Sequence, residues 1–498
     1  MPFFKRLFYV HFKQSGFIYL YLCIIYSSKF MIDKLIQNDT TRYWLKTIMF
    51  PTTYSQYTII NLLRLISPRS KFLLQKTILM TIGVSLLHYL LWPIFILYKT
   101  YAEKIEIPNL LNNRKIFTGT VNTVCIYSPW FDKFAGGSEA VSAYIAQYFE
   151  MKYPDSIITI LCDDYLGNKI LKPAEREQIN QKYGTTLKKT KSILVKHGFL
   201  NLFMYKYYIS LLKTSMKYDI FINSFMDINP SNSAINIHYI HFPGDVNDAV
   251  SKYLFNIYRN GIDSYIANST YTSFWTKKVL DIKDVAVVEP PVVTISDEIY
   301  AYKSKVIVTA GRISVEKNLE FLINTFIDSI QKWPDWEYHI IGSKNPNNIE
   351  YFNQLERMSK GFPIKFFTNL TKDDFNSYLK KAQIYWHGMG YGVDLQTFPG
   401  QTEHFGMTVV EAMSFGCVPV VFNVGGPADV VCENKCGFLW ATPGELVNST
   451  IKLIEDKELY KSMSKLSHFS SAKYSVENFM KKFGEEADKT FIKVKEKI

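Results

Sequence analysis

Cysteine is scarce in this sequence, with six residues in 498, and its spacing argues against a structural metal site. Cys432 and Cys436 form a close pair, but neither a second pair nor a histidine cluster accompanies them, as a zinc site requires. Three further cysteines lie in apolar runs typical of buried strands: Cys125, Cys162 and Cys417. A buried free thiol behaves as a small hydrophobe, so the pattern predicts a reducing compartment and no metal.

Clustered basic charge is also missing, although the formal net charge is +12. Lysines are spread along the whole chain, and no run of five or more basic residues occurs. A net positive charge attracts nucleic acid, anionic lipid or anionic substrates. Without a basic cluster, we expect a phosphate-bearing membrane surface or substrate, and no nucleic-acid partner.

The first 116 residues differ from the rest and predict a membrane-associated helical region, 1–116. Within it, Thr77–Tyr98 is an uncharged and mostly apolar run, long enough for the ~20 residues that a transmembrane helix needs. A buried helix is the alternative interpretation of this run. Phe17–Tyr26 is too short to span a bilayer alone, and no small-residue cleavage site follows it. Basic residues flank Thr77–Tyr98 on both sides, so charge does not predict its orientation.

From Thr120 onward, apolar runs alternate with helical patterns in two series. Continuous apolar character is typical of strands that are covered on both faces of a parallel sheet. The first series predicts strands at Val121–Tyr127, Ile157–Cys162, Asp219–Asn223, Ile235–His241 and Tyr265–Ala267, and a helix near Glu139–Phe149. The second series predicts strands at Val306–Ala310, Tyr338–Ile341, Ile364–Phe367, Ile384–His387 and Val418–Phe422.

The predicted fold class is therefore α/β, with two doubly wound Rossmann-like domains at 117–292 and 293–475. A Pro-Pro break within Val285–Val293 suits the linker between them. Residues 476–498 are amphipathic and charged, which predicts a closing helix. Ligands of such folds bind in the crevice at the carboxyl ends of the strands.

The clearest functional signal is the segment Glu403–Gly426. A loop ending at Gly406 is followed by a predicted helix, Met407–Ser414, whose free amides attract an anion such as a diphosphate. Glu403 can then accept hydrogen bonds from sugar hydroxyls, and Glu411 can hold a ribose diol, as acidic residues do in nucleotide folds. An ordinary amphipathic helix with two solvated glutamates is the alternative.

Two further segments carry groups that suit phosphate. Ala310–Asn318 follows a predicted strand and supplies Arg312 and Lys317, a guanidinium and an ammonium suited to a diphosphate leaving group. Gly136 and Gly137 precede a predicted helix and permit close backbone approach to phosphate. Solvated surface charges and a common turn are the respective alternatives.

A histidine at a predicted strand end is the remaining candidate. His241 lies in the sequence IHYIHFPG, nearer the strand end than His238, and can project into the crevice between the domains. An isolated histidine of this kind is more often structural than catalytic.

Together these stretches resemble the glycosyltransferases of the GT-B fold, family 4 in the sequence-based classification. The matching sequences are GGSE, YIHFPG, GRISVEKN, EHFGMTVVEAM, GCVPVV and GGP, in the family order over Thr120–Ser475. Within the family, YIHFPG and EHFGMTVVEAM are similar to mannosyltransferases that extend lipid-linked oligosaccharides.

The resemblance implies transfer from a nucleoside-diphosphate sugar, with retention of anomeric configuration and no required metal or other cofactor. It implies that Glu403 contacts the donor sugar hydroxyls and that Glu411 contacts the ribose. Arg312 and Lys317 would hold the diphosphate, and His241 would contact the sugar near the reacting carbon. The remaining donor-binding groups that it implies are Gly136, Gly137, Phe405, Gly406 and Met407.

The resemblance also assigns roles to the domains and partners. It implies that 117–292 is the acceptor-side domain and that 293–475 binds the nucleotide sugar. A hexosyl group, for which mannosyl is one candidate, would pass to a membrane or lipid-linked glycan acceptor. We therefore expect a membrane-associated protein whose catalytic domains face the cytosol.

Independent sequence features bear on the metal and on rival functions. No Asp-x-Asp motif, used by metal-dependent sugar transferases of the other common fold, occurs in the sequence. A nicotinamide-dependent oxidoreductase requires Gly-x-Gly-x-x-Gly, whereas Gly388, Gly390 and Gly392 have a different spacing. A catalytically silent, membrane-anchored partner subunit that keeps the GT-B fold is the second alternative.

Overall fold

The structure is a computed structural model that describes residues 101–131, 136–163, 173–195, 204–226, 229–244, 255–295, 303–344 and 348–496. The candidate membrane segment Thr77–Tyr98 and the shorter run Phe17–Tyr26 lie outside these residues. Within the described ranges, no helix combines the length and the apolar character that crossing a bilayer requires. The chain divides into two units, Met1–Ile105 and Glu106–Ile498, and the second contains both sheets.

The first domain is built on a seven-stranded parallel sheet with strand order β3-β2-β1-β4-β5-β6-β7. Its strands are β1 (Thr123–Tyr127), β2 (Ile157–Asp163), β3 (Lys191–Val195), β4 (Ile220–Asn223), β5 (Ile235–Ile240), β6 (Ser264–Ala267) and β7 (Ala286–Val287). Its helices are α1 (Ile107–Asn112), α2 (Gly137–Lys152), α3 (Pro173–Tyr183), α4 (Met204–Ser215) and α5 (Thr270–Leu280). The strand order reverses between β1 and β4, which opens a crevice at the carboxyl end of β1.

The second domain repeats this plan with a six-stranded parallel sheet of order β10-β9-β8-β11-β12-β13. Its strands are β8 (Val306–Ala310), β9 (Glu337–Gly342), β10 (Ile364–Thr368), β11 (Ile384–His387), β12 (Val418–Phe422) and β13 (Phe438–Trp440). Its helices are α6 (Leu319–Asp328), α7 (Ile349–Ser359), α8 (Lys372–Lys381), α9 (Met407–Ser414), α10 (Gly426–Val430), α11 (Pro443–Glu455) and α12 (Lys457–Ser471). Here the order reverses between β8 and β11, so Arg312 and Lys317 leave the sheet at its switch point.

The last helix, α13 (Val476–Lys495), returns to the first domain. Phe479 and Phe483 are buried in the first-domain core, and the Phe483 ring meets Phe149 of α2 edge to face at 6.0 Å. The chain crosses between the domains at Val292 and again near Ser475, where Val292 N–H donates to the Tyr474 carbonyl at 2.9 Å. The two crossings therefore lie side by side.

The segment before β1 is fixed to the first domain. Arg114 donates to three backbone carbonyls of the β4–β6 region and pairs with the Asp263 carboxylate. Phe117 is buried in the first-domain core. Residues 107–117 are therefore part of the first domain.

The prediction of two parallel α/β sheets is confirmed, because every predicted strand is present within two residues of its predicted ends. Three strands were not predicted: β3, β7 and β13. β3 lies at a sheet edge and begins with Lys191 and Ser192, while β7 and β13 have only two and three residues. Such elements lack the continuous apolar run that identifies a central strand.

Candidate active site

Glu403 and Lys317 form an ion pair at the centre of the second domain's carboxyl edge. Lys317 ends a short 3-10 turn after β8, and its ammonium contacts the Oε2 atom of Glu403, which lies in the loop before α9. Burial raises the pKa of the Glu403 carboxyl, but Lys317 and His387 outweigh burial and hold that pKa well below its usual range. Glu403 is therefore ionised in the folded protein.

His387 adds a group that the sequence analysis did not single out. It is the last residue of β11, and its Nε2 atom lies 3.8 Å from Oε2 of Glu403. Burial lowers the pKa of His387, which keeps the ring neutral. Its place at the end of a predicted buried strand was the signal that could have identified it.

Gly406 sets the start of α9. Its φ of +96° lies in the left-handed region, which a residue with a Cβ adopts at a cost. A Cβ there would also lie 3.1 Å from Val409 and 3.2 Å from Pro427. Phe405 anchors the preceding turn, because its ring is buried against Tyr474 at 5.4 Å. The amides of Val409 and Val410 donate to the Gly406 carbonyl. The amides of Met407 and Thr408, at the first two helix positions, have no carbonyl one turn back and are available for an anion.

Glu411 lies within α9 and is not paired with the same partner as Glu403. Its Oε1 atom accepts from Lys372 Nζ, at the start of α8, at 2.6 Å. The hydroxyl of Thr408, one residue into the helix, hydrogen-bonds with Tyr385 of β11 at 2.8 Å. Each glutamate of the predicted site is thus held by a separate lysine.

The first domain reaches the start of α9 through its glycine turn. A Cβ on Gly137 would lie 2.6 Å from Met407 Sδ, so the two domains touch at this point. A Cβ on Gly136 would lie 2.7 Å from the Oε2 atom of Glu139. Burial raises the pKa of Glu139 to about 7, and the charge of Arg312 from the second domain acts in the opposite direction. Gly136, Gly137 and Arg312 therefore line the same cleft.

His241 directly follows β5 and is buried. Burial lowers the pKa of His241 to about 3, so the ring is neutral, and its Nε2 atom has no hydrogen-bond partner among the described residues. The neighbouring Phe242 ring stacks on His404 of the second domain at 4.3 Å. Ser269 donates to the His404 carbonyl at 2.5 Å, which fixes the first domain against the loop that carries Glu403.

These groups can bind an anion and a polyol together. Arg312, Lys317 and the α9 amides supply positive potential, and Glu403 supplies a hydrogen-bond acceptor beside it. Among the residues that the structure describes, no group of three or more His, Cys, Asp or Glu side chains is arranged to hold a metal ion.

Comparisons with known proteins agree with this chemistry. Residues 296–467 match the family described as "Glycosyl transferases group 1". A 216-residue stretch is 26% identical to an uncharacterized glycosyltransferase of Haemophilus influenzae and covers 42% of this chain and 57% of that protein. The chain is also 26% identical over 194 residues to a GDP-Man:Man(3)GlcNAc(2)-PP-Dol alpha-1,2-mannosyltransferase of Dictyostelium discoideum, covering 36% of each. The matched stretches thus span less than two thirds of these relatives.

Solved structures match over a larger part of the chain. The Anabaena Alr3699/HepE structure in complex with UDP and glucose has a TM-score of 0.53, with 14% identity over 74% of this chain and 100% of that chain. The sucrose-phosphate synthase of Thermosynechococcus elongatus has a TM-score of 0.55, with 15% identity and coverage of 74% and 99%. The two domains therefore have the fold of these solved structures, and residues 296–467 match the group 1 glycosyl transferases.

Proposed function

We propose that the protein is a retaining, metal-independent family 4 glycosyltransferase that takes a hexosyl group from a nucleoside-diphosphate sugar. Mannosyl is the first candidate, since a relative is named for transfer from GDP-Man. The acceptor we propose is a lipid-linked or other glycan at a membrane, reached by catalytic domains on the cytosolic face. The acceptor and the location rest on the apolar segment Thr77–Tyr98 and on the same relative.

The observation that carries the proposal is the cluster around the start of α9. Lys317 and Glu403 lie together there, and Gly137 of the opposite domain touches Met407. A diphosphate at this helix start would meet free amides and two cations, and the attached sugar would lie beside Glu403. Such groups stabilise the negative charge that develops on the leaving diphosphate, which is the main electrostatic requirement of glycosyl transfer.

His241 has a different role in this proposal. Its ring is neutral and buried on the first-domain side, so it can exchange a hydrogen bond with the donor sugar without attracting the diphosphate. Glu411 would accept hydrogen bonds from the ribose hydroxyls in place of the one it accepts from Lys372. Both roles require that the donor lies across the cleft, with its sugar toward the first domain.

The proposal is tested by thermal stabilisation with a panel of GDP- and UDP-sugars, because a ligand raises stability in proportion to its binding. We expect one donor class to raise Tm and to support transfer to a lipid-linked oligosaccharide in the presence of EDTA, with the anomeric configuration of the product retained by NMR. Stabilisation by a donor without transfer to any acceptor would favour a catalytically silent subunit.

The diphosphate assignment is tested by the double variant Arg312→Ala/Lys317→Ala. Loss of both cations should reduce turnover by at least about 100-fold, since each charge-assisted contact is worth about 1.5–3 kcal/mol. The matched control is Lys305→Ala/Lys332→Ala, which removes two lysines of the same domain away from the cluster. Equal activity of the two double variants would contradict the assignment.

A further inference from the structure

His387 is a buried histidine beside the candidate donor site, and the proposed function gives it no role. Only 4% of the residue is exposed, and neither ring nitrogen has a hydrogen-bond partner among the described residues. A buried polar group without a partner costs free energy, so its presence in a native site requires an explanation.

The geometry around Glu403 suggests one. His387 Nε2 lies 3.8 Å from the same Oε2 atom that Lys317 contacts. This distance is too long for a hydrogen bond, but a side-chain movement of about 1 Å would form one. His387 is held at the end of β11, inside the sheet, whereas Lys317 is at the end of a long side chain in a loop turn.

Lys317 has two competing partners in the proposed reaction. It contacts Glu403 in the structure, and the donor diphosphate would attract it with a larger charge. A lysine that turns toward the diphosphate leaves an ionised carboxylate that is 22% exposed and has lost a charge partner. Such a carboxylate needs another donor to keep the orientation in which it contacts a sugar.

We propose that His387 is the positioning residue that holds the Glu403 carboxylate through Nε2–H when Lys317 turns to the donor diphosphate. This inference rests on the proposed function, because it requires a diphosphate at the start of α9. The neutral ring donates one hydrogen bond without adding a cation that would compete with Arg312 and Lys317 for the diphosphate.

The test compares a nucleoside diphosphate with the corresponding nucleotide sugar. Binding of GDP, GDP-mannose, UDP and UDP-glucose is measured by calorimetry for the wild-type protein and for His387→Leu, His387→Gln and His387→Asn. His387→Leu should lower the affinity for the nucleotide sugar about tenfold. The affinity for the free nucleoside diphosphate should change less than about twofold, because only the sugar contacts Glu403. His387→Gln should restore sugar binding, since its amide N–H reaches the Nε2 position, and His387→Asn should not.

A matched control is His238→Leu. His238 is fully buried in β5 of the first sheet, and its ring nitrogens also lack partners among the described residues. The His238→Leu variant should leave the affinities for the nucleoside diphosphate and the nucleotide sugar unchanged and lower only Tm. If His387→Leu does not fold, His387→Gln and His387→Asn give the same test, because only the glutamine should keep the affinity for the nucleotide sugar.

Two results would overturn the inference while the proposed function stands. One is an equal loss of affinity for the free diphosphate and the nucleotide sugar, which indicates a purely structural role. The other is unchanged binding of both ligands in all His387 variants. A wild-type protein that binds neither GDP, UDP nor their sugars would instead refute the proposed function, and the inference with it.

Discussion

At the scale of single residues, the carboxyl group of Glu139 can change the charge of the cleft near neutral pH, because burial raises its pKa. It lies in the first turn of α2 with 4% of its surface exposed, and burial raises its pKa to about 7. The Ser138 hydroxyl donates a hydrogen bond to the Glu139 carboxylate at 3.0 Å. The charge of Arg312 acts against the rise in the pKa of Glu139. A neutral Glu139 avoids repelling an anion from the cleft that Gly136, Gly137 and Arg312 line.

Replacing Glu139 by Gln should therefore change how stability depends on pH. Because the folded protein holds this proton more tightly than the unfolded chain, wild-type stability falls as pH rises from about 4.5 to 7 and is constant above that range. The loss approaches about 3 kcal/mol, because burial raises the pKa of Glu139 from 4.5 to about 7. Denaturant unfolding of both proteins at pH 5 and pH 8 measures the difference, which should favour Glu139→Gln only at pH 8. Parallel pH curves would show that Glu139 is not buried as an acid.

At the scale of secondary-structure elements, α9 carries the site because its start is exposed to the cleft and its body is buried. Val409, Val410 and Met413 pack into the core of the second domain, which fixes the direction of the helix axis. The left-handed Gly406 turns the incoming loop so that Glu403 lies on the cleft side. The first amides of α9 and the Glu403 carboxylate are therefore positioned by one turn.

Gly406→Ala tests this turn, with Gly361→Ala as a control of the same backbone type. Both glycines have positive φ, +96° and +87°, but a Cβ on Gly361 meets nothing within 4 Å. Each substitution should cost about 1–2 kcal/mol in the free energy of unfolding. Only Gly406→Ala should reduce donor affinity, by about tenfold, because it displaces the α9 amides. A comparable loss of affinity in Gly361→Ala would mean that the effect arises from stability.

The sequence predicted the elements of the site well and their contacts poorly. β8, β11 and β12 are continuous apolar runs, Arg312 follows the end of β8, and Glu403 and Gly406 come just before α9, so local patterns were sufficient. The pairing of Lys317 with Glu403 joins residues 86 positions apart, and no local pattern encodes it. The contact of Gly137 with Met407 depends on the angle between two domains, which the sequence does not express.

At the scale of the whole molecule, the two chain crossings lie side by side. Glu289, just before the first crossing, accepts from Lys482 of α13 at 2.7 Å and lies 3.7 Å from Lys473. Other contacts between the domains, among the described residues, include Ser269 with His404 and Tyr271 with Asp429.

The final prediction concerns attachment to membranes through the chain before the folded domains. Deleting residues 1–105 should release the protein from membranes and leave it folded, because Arg114 and Phe117 keep their contacts with the first domain. Deleting residues 1–119 should also release it, but with a loss of about 3–5 kcal/mol in stability, the typical cost of removing a buried aromatic side chain. Sedimentation with membranes and thermal unfolding of the two proteins measure both effects. A protein without residues 1–105 that still sediments with membranes would show that another surface makes the attachment. The proposed lipid-linked acceptor would then have to be approached from that surface.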